Sequence, residues 1–222
     1  MQKRTLWIHT GKLLATSLLS MPFAFAQSAP APADRPSMVT LHLNTSSAWS
    51  LPVKVVGVML GGQQVPLDTP IRVEGMWMRT ISVTIQNTSP KPIVKCGIDI
   101  EFPEAIRAAT GPVPNITMSL GRFPHHAFMR RDGTTAQLHE QPDAQIQVQP
   151  GESATLKAVP GTDLVQADAY KVAGHISNVS INLDTIYFLD ESRWLDGTYY
   201  VAVPPPTLWQ EVTPTEFSNG AP

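Results

Sequence analysis

The single cysteine of this 222-residue sequence is its first candidate for chemistry. Cys96 could act as a nucleophile if a histidine elsewhere in the chain activated it. However, it shares a strand face with Val94 and Ile98, which predicts a side chain inside an apolar core. A thiol buried among apolar groups has a raised pKa and reacts slowly. We therefore expect Cys96 to be a packing residue.

Three histidines between Gly121 and Pro142 are the candidates for a metal site. His125 and His126 are adjacent, so in a strand they would point to opposite faces. No carboxylate or cysteine stands near them or near His139 at a spacing typical of zinc or copper sites. The chain also lacks a phosphate-binding loop and a nucleophile elbow. The sequence therefore predicts no metal and no other cofactor.

The same segment is a candidate interaction surface. It combines cationic and aromatic side chains, a mixture found where proteins contact partners. These are Arg122, Phe123, Phe128, Arg130 and Arg131. The alternative is a solvated loop that a few aromatic side chains anchor.

Acidic and aromatic side chains surround a predicted turn near the C-terminus. The acidic ones are Asp184, Asp190, Glu191 and Asp196, and the aromatic ones are Trp194, Tyr199 and Tyr200. Carboxylates at this density could hold calcium or form the acid pair of a glycosidase, but solvated turn charges are the simpler interpretation. The aromatic rings could form a platform that stacks on sugars, or they could complete the core.

The first 26 residues predict export. Lys3 and Arg4 precede an apolar run from Leu13 to Phe25, and Ala24-Phe25-Ala26 is a small-x-small cleavage pattern. We expect a signal peptide over residues 1–26 and a periplasmic or extracellular location. No apolar run of roughly 18 or more residues follows, so we expect no membrane span after cleavage.

Charge and composition limit the classes of partner. Cleavage leaves 13 basic and 18 acidic residues, a formal net charge of −5. This acidic balance argues against nucleic acid as a partner. With one cysteine, the chain cannot form an intramolecular disulfide, so its stability must come from its core.

Alternating apolar and polar residues predict strands along most of the chain. The clearest pair of strands covers 81–86 and 93–102, joined by the turn from Asn87 to Pro92. We expect further strands near residues 39–43, 53–60, 63–67, 115–120, 145–149, 153–158, 179–188 and 198–203. Gly61-Gly62 predicts a tight hairpin turn between the strands at 53–60 and 63–67.

One helix is expected at 162–173. Thr162 is its predicted N-cap and Gly174 its C-terminal stop. Val165, Ala169 and Val172 are spaced as one apolar helix face.

Roughly eight to ten short strands with one short helix predict a mainly β fold, an antiparallel immunoglobulin-like β-sandwich. The expected organisation is a signal peptide at 1–26, a Pro/Ala-rich disordered leader at 27–37, a sandwich domain at 38–203 and a Pro-rich irregular tail at 204–222. Trp209 and Phe217 are the residues of this tail that could hold it against the domain.

The segment from Ile81 to Ile93, ISVTIQNTSPKPI, and the following DIEFP ending at Pro103 resemble a pattern in uncharacterised secreted bacterial proteins with an immunoglobulin-like domain. In that pattern a strand, an N-T-S-x-K-P-I turn and a strand ending in F-P follow one another. Here Trp194 comes before the Asp196-Gly197 pair, whereas in the family the aromatic residue comes after the Asp-Gly pair. The resemblance implies the fold and no activity, since a shared sandwich does not carry function.

The sequence thus favours an exported, non-enzymatic binding or structural module of the cell envelope, with an envelope protein or glycan as its partner. Its working surface would be the connection from Gly121 to Pro142 or the turn from Asp190 to Tyr200. A carbohydrate-binding module that uses Trp194, Tyr199 and Tyr200, an envelope hydrolase of unrecognised type, and pairing by strand addition remain alternatives.

Overall fold

The computed structural model of the protein describes residues 37–44, 51–121, 128–129, 135–136, 146–203 and 208–220. The strands, in chain order, are β1 (Ser37–Asn44), β2 (Val53–Leu60), β3 (Gln63–Val65), β4 (Ile71–Val73), β5 (Ser82–Asn87), β6 (Ile93–Glu101), β7 (Asn115–Gly121), β8 (Phe128–Met129), β9 (Thr135–Ala136), β10 (Ser153–Lys157), β11 (Asn178–Phe188), β12 (Arg193–Leu195), β13 (Thr198–Val203) and β14 (Leu208–Val212). The helices are α1 (Pro103–Ala108), α2 (Thr162–Ala173) and α3 (Pro214–Ser218), with a 3₁₀-helix at Trp77–Thr80. No helix in these ranges is long and apolar enough to cross a membrane.

The smaller of the two main sheets has the strand order β10-β5-β2-β3 and is antiparallel throughout. Its β2–β3 hairpin forms as predicted. Gly61 and Gly62 in the turn have φ of 58° and 82°, a region that glycine enters without a steric penalty.

The larger sheet is built around β11. Strand β6 pairs along one edge of β11, and β7 pairs with β6. The other edge is shared. Its first half pairs in parallel with β1, which continues to β4, and its second half pairs with β12, which continues to β13 and β14. The sheet therefore forks along one edge of its central strand.

The two sheets enclose one hydrophobic core, to which β1, β2, β5, β6 and β11 all contribute buried aliphatic side chains. The predicted mainly β class and the sandwich architecture are confirmed. One pair departs from the antiparallel pattern, because β1 and β11 run parallel. A strand can bury one face whenever apolar and polar residues alternate along it, and this holds for parallel as well as antiparallel strands.

The two clearest strands of the sequence form, but they do not pair with each other. Strand β5 lies in the smaller sheet and β6 in the larger one, so the connection from Asn87 to Pro92 crosses between the sheets. Asn87 supports this crossing from a fully buried position, with its Nδ2 donating to the carbonyls of Lys91 and Val148 at 2.9 and 2.8 Å. A side-chain amide that satisfies main-chain groups takes the place of hairpin hydrogen bonds here.

Helix α2 has its predicted bounds, a different N-cap and part of its predicted apolar face. Gly161 is the N-cap, while the Thr162 hydroxyl donates back to the Val159 carbonyl at 2.6 Å. Ala169 is buried and Val165 packs against the core as predicted, but Val172 is 40% exposed, and the buried face also carries Gln166. The Gln166 amide binds the backbone at Met78 and Gly75 at 2.9 and 3.0 Å, so a polar residue faces the core because it satisfies buried main-chain groups there.

Two predictions about extended and irregular segments are wrong. The segment predicted as a strand at 145–149 contributes, within its described residues, a single bridge between Val148 and Ile93. The tail predicted to be irregular contains β14, which pairs with β13, and α3, which buries Phe217. Thr213 and Glu216 form a capping box at the start of α3, a local signal that the sequence does contain.

Candidate functional site

The fork in the larger sheet creates a cleft beside β11. Asn182 is the last residue of β11 in register with β1, and Thr185 is the first in register with β12, so Leu183 and Asp184 lie at the fork. The register with β6 also shifts between Leu183 and Thr185. This β-bulge leaves Asp184 without a partner residue on β6, and an extra, unpaired residue of this kind is what defines a bulge.

The fork cleft, as we call it, has a volume of about 300 Å³. Six of its lining residues carry polar or charged side chains that matter for its chemistry: Asp99, Glu101, Asn182, Asp184, Trp194 and Asp196. Leu51 and Leu183 add apolar surface. The turn that carries Asp196 contacts the bulge directly, because the backbone N–H of Asp196 donates a hydrogen bond to the Asp184 carbonyl at 3.2 Å.

The carboxylates of the fork cleft influence one another. Burial raises the pKa of Asp184, and the negative charges of Asp99 and Asp196 raise it further, although Lys95 opposes them. Asp99 also accepts a hydrogen bond from the Thr117 hydroxyl at 2.6 Å. The cleft is therefore a region of negative potential that favours ligand groups able to donate hydrogen bonds.

Two buried polar atoms on the cleft residues have no hydrogen-bond partner in the described part of the chain. They are the amide oxygen Oδ1 of Asn182 and the indole Nε1 of Trp194. Trp194 belongs to the buried face of the sheet and is 2% exposed, and it lines the cleft where the sheet divides. Buried polar groups are nearly always paired, so these two call for an explanation.

A second cluster occupies the outer face of the β11–β14 branch. It consists of Tyr187, Arg193, Tyr200 and Trp209, all half-buried, and we call it the arginine–aromatic cluster. The Arg193 guanidinium carbon lies 5.0 Å from the centre of the Tyr200 ring and 4.1 Å from that of Trp209. Tyr187 meets Trp209 edge to face at 6.2 Å. Stacking of this kind holds a guanidinium in place through cation–π attraction.

The aromatic side chains named from the sequence divide between the two faces. Trp194 and Tyr199 are directly opposite each other on neighbouring strands and point into the core, where Tyr199 packs on Phe217 at 4.5 Å. At 2% and 5% exposure their rings cannot stack on a ligand at the surface. Tyr200 lies on the outer face. A sugar platform made of all three residues is therefore wrong, because strand alternation separates Tyr200 from the other two.

The acidic side chains named from the sequence also separate. Asp184 and Asp196 meet in the fork cleft, whereas Asp190 pairs with Lys91 at 2.6 Å beyond the end of β11. Burial alone would raise the pKa of Asp190, but hydrogen bonds from Lys91 and Ser192 outweigh it and lower that pKa. Glu191 follows in the turn with a φ of 68°. Asp190 therefore has a structural role in this turn.

Cys96 lies in the core as predicted and is fully buried. Burial, with a smaller contribution from the charge of Asp184, raises the pKa of its thiol to about 12. A thiol of this kind is protonated at neutral pH and cannot serve as a nucleophile there.

A polar network joins β1, α1 and the start of β11. One oxygen of Glu104 accepts hydrogen bonds from the hydroxyl of Ser177 at 2.6 Å and the amide of Asn178 at 2.7 Å. Burial alone would raise the pKa of Glu104, but these hydrogen bonds lower it. On the other side, His42 contacts Asn178 and Asp68. The network therefore ties β1, α1, the start of β11 and the segment of Asp68 together.

The remaining candidate sites offer fewer observations that indicate a function. A larger groove of about 500 Å³ runs between β3 and β4, and its charged residues include the exposed ion pair Arg72–Glu74. No group of three or more acidic, histidine or cysteine side chains in the described residues is arranged to hold a metal ion. His125, His126, His139, Arg130 and Arg131 lie outside the residues that the structure describes.

The fold and these sites define a β-sandwich protein with a polar cleft at a fork in its larger sheet and a stacked arginine on the outer face of the same sheet. No family model, curated protein or solved structure matches the chain. The resemblance to secreted immunoglobulin-like proteins therefore stays a prediction.

Six residues of these sites were missed by reasoning from sequence, namely Asp99, Glu101, Asn182, Tyr187, Arg193 and Trp209. Asp99 and Glu101 come from β6, more than eighty positions before Asp184, and only strand register brings them together. Arg193 and Trp209 join Tyr200 through the pairing of β12, β13 and β14. A sequence signal existed for Arg193, since it alternates with Trp194 and so must point to the opposite face.

Proposed function

We propose that the protein is an exported, non-enzymatic binding module of the cell envelope that contacts a protein partner through the arginine–aromatic cluster. The single observation that carries this proposal is the state of Arg193. Its guanidinium lies against two rings, and no carboxylate in the described part of the chain forms an ion pair with it.

The chemistry of Arg193 indicates what its partner supplies. Its Nε is buried, so the terminal nitrogens of the guanidinium are the ones that a partner can reach. A planar guanidinium binds a carboxylate through two parallel hydrogen bonds. The partner therefore contributes an acidic side chain at this point.

The composition of the cluster supports a protein as partner. Arginine, tyrosine and tryptophan dominate the residues that contribute most to the binding free energy of protein interfaces. The stacked rings also fix Arg193 before binding, which reduces the conformational entropy that association costs.

Export and the absence of catalysis belong to the same proposal. Residues 1–26 have the charge, apolar run and cleavage pattern of a signal peptide. The thiol of Cys96 is buried and protonated, which supports a role without covalent catalysis.

The test is affinity capture from the envelope fraction of the native cells, with wild-type protein and an Arg193→Gln variant as baits. Arg72→Gln is the matched control, since Arg72 is exposed and pairs only with Glu74 among the described residues. We expect a partner that wild type and the control capture, that Arg193→Gln loses, and that dissociates more readily at high salt.

Capture that survives Arg193→Gln would place the interface elsewhere. Turnover of an envelope polymer by the purified wild-type protein would refute the non-enzymatic assignment.

A further inference from the structure

Within the described part of the chain, five strands of the two main sheets pair on one side only, and four of these edges are short or charged. Strands β3 and β4 have three residues each. Strands β10 and β14 have five each, and they include Lys157 and Glu211. Short edge strands and charged side chains both discourage pairing with another chain.

Strand β7 is the exception among these edges. It has seven residues, Asn115–Gly121, and none of them is charged. Its main chain pairs with β6 along one edge, and no described residue forms a main-chain hydrogen bond with its other edge. An edge of this length, without a charge, presents a row of N–H and C=O groups to which another strand can bond.

The absence of charge favours a second copy of this chain as the strand that adds to β7. An identical strand brings identical charges, so a charged edge repels its own copy, whereas β7 has no charge that would do so. The nearest carboxylate on the neighbouring strand is Asp99, which accepts a hydrogen bond from Thr117. In a pair of copies it would lie three strand spacings, roughly 14 Å or more, from its counterpart, so salt would largely screen the repulsion.

We propose that the protein forms a homodimer in which β7 of one copy pairs antiparallel with β7 of the other, about a two-fold axis at Met118. Such a pair is self-complementary, as an interface with two-fold symmetry must be. The register follows from the burial of the strand. Ile116 and Met118 are buried and Thr117 and Ser119 are exposed, so only registers that match like faces keep both cores on one side. Of these registers, the one centred on Met118 pairs all seven residues.

This register places compatible side chains opposite one another. On the core face, Ile116 of one copy meets Leu120 of the other, which is only half-buried in the single chain. On the outer face, Thr117 meets Ser119 of the other copy. Pairs of hydroxyl residues and pairs of apolar residues both stabilise neighbouring strands. The two larger sheets then form one continuous sheet across the dimer.

The dimer interface is separate from the arginine–aromatic cluster. Strand β7 lies at one edge of the larger sheet, beyond β6, whereas the cluster extends to β14 at another edge. Pairing through β7 therefore leaves Arg193 free for the proposed protein partner, and either proposal can fail without the other.

The experiment is analytical ultracentrifugation of the protein expressed from its full sequence, over a range of micromolar concentrations. A reducing agent is present so that Cys96 cannot link two chains. We expect a reversible equilibrium between monomer and dimer. Hydrogen exchange measured at low and high concentration should show added protection in β7 at high concentration, because its free amides become paired.

One variant disrupts the pairing without threatening the fold. Ser119→Glu changes an exposed side chain, and in the dimer the two introduced carboxylates become diagonal neighbours about 7–8 Å apart. The dimer should weaken by about tenfold or more, since like charges meet at the interface. Ser153→Glu places the same charge at an exposed position on β10, the edge of the smaller sheet. It is the matched control and should dimerise as wild type does.

A second change tests the register. Thr117→Lys added to Ser119→Glu should restore the dimer, because each introduced lysine lies opposite an introduced glutamate of the other copy. Thr117→Glu added to Ser119→Glu should leave a monomer. Equal urea midpoints at low concentration would show that these variants still fold.

The proposal is overturned if wild type remains a monomer at every concentration, or if Ser119→Glu dimerises as wild type does. Equal weakening by Ser153→Glu, or no recovery on adding Thr117→Lys, also overturns it.

Discussion

His42 and Asn178 form a hydrogen bond whose direction the surrounding network determines. Asn178 Nδ2 donates to the Glu104 carboxylate, so its Oδ1 is the atom that faces His42 Nε2 at 3.2 Å. The other ring nitrogen, Nδ1, lies 2.8 Å from Asp68. Both nitrogens therefore face acceptors, and the arrangement is complete only when His42 is protonated.

Stability should therefore depend on pH through His42. Hydrogen bonds from His42 to Asp68 and Asn178 raise its pKa. Because the folded-state pKa is raised, the contribution is full below the unfolded value of about 6.5 and is lost as pH rises through the folded value. Urea unfolding of wild type should show this decline, and Asp68→Asn should flatten it. A curve that is equally steep in Asp68→Asn would contradict the role of this pair.

Asp184 should destabilise the fold once it ionises. Its pKa is raised, mainly by burial and then by Asp99 and Asp196. Its contribution to stability is therefore full below the unfolded pKa of about 3.9 and is lost as pH rises through the folded value. Asp184→Asn should be more stable than wild type at pH 7, by a margin that shrinks toward acidic pH. Equal urea midpoints at pH 7 would show that neither burial nor the neighbouring carboxylates make ionised Asp184 destabilising.

Lys91 should stabilise the turn after β11. Its Nζ lies 2.6 Å from Asp190 and 4.0 Å from the centre of the Phe217 ring, and its side chain is 13% exposed. Lys91→Ala should lower the free energy of unfolding by about 1–2 kcal/mol, because a charged hydrogen bond at a half-exposed carboxylate is lost. Lys171→Ala, in an exposed pair with Asp168, is the control and should cost less than about 0.5 kcal/mol. Equal effects in urea denaturation would count against a special role for Lys91.

Cys96 should be unreactive until the protein unfolds. Its thiol is fully buried with a pKa of about 12. We expect Ellman's reagent at pH 8 to label it only in urea, at a rate that follows the unfolded fraction. Rapid labelling of the native protein would show that the core around Cys96 and Ile98 opens to solvent.

The β2–β3 hairpin and helix α2 could be predicted from sequence because the residues that specify each of them lie close together in the chain. The glycine pair at 61–62 predicted the β2–β3 hairpin, and the spacing between Thr162 and Gly174 predicted the extent of α2. The tail beyond Pro204 was misjudged because its prolines outweighed the capping box of Thr213 and Glu216, which is an equally local signal.

The sequence by itself determined that this chain forms short strands with one apolar face each, and that Cys96 points inward, since alternation along one strand decides both. Only the tertiary structure decided which strands are neighbours and in which register. The strand pairing places β5 and β6 in different sheets and brings Asp99 close to Asp184. It also buries Trp194 and leaves Arg193 on the outer face. The physical reason is that backbone hydrogen bonds between strands are alike at every position, so pairing depends on how all faces pack into one core.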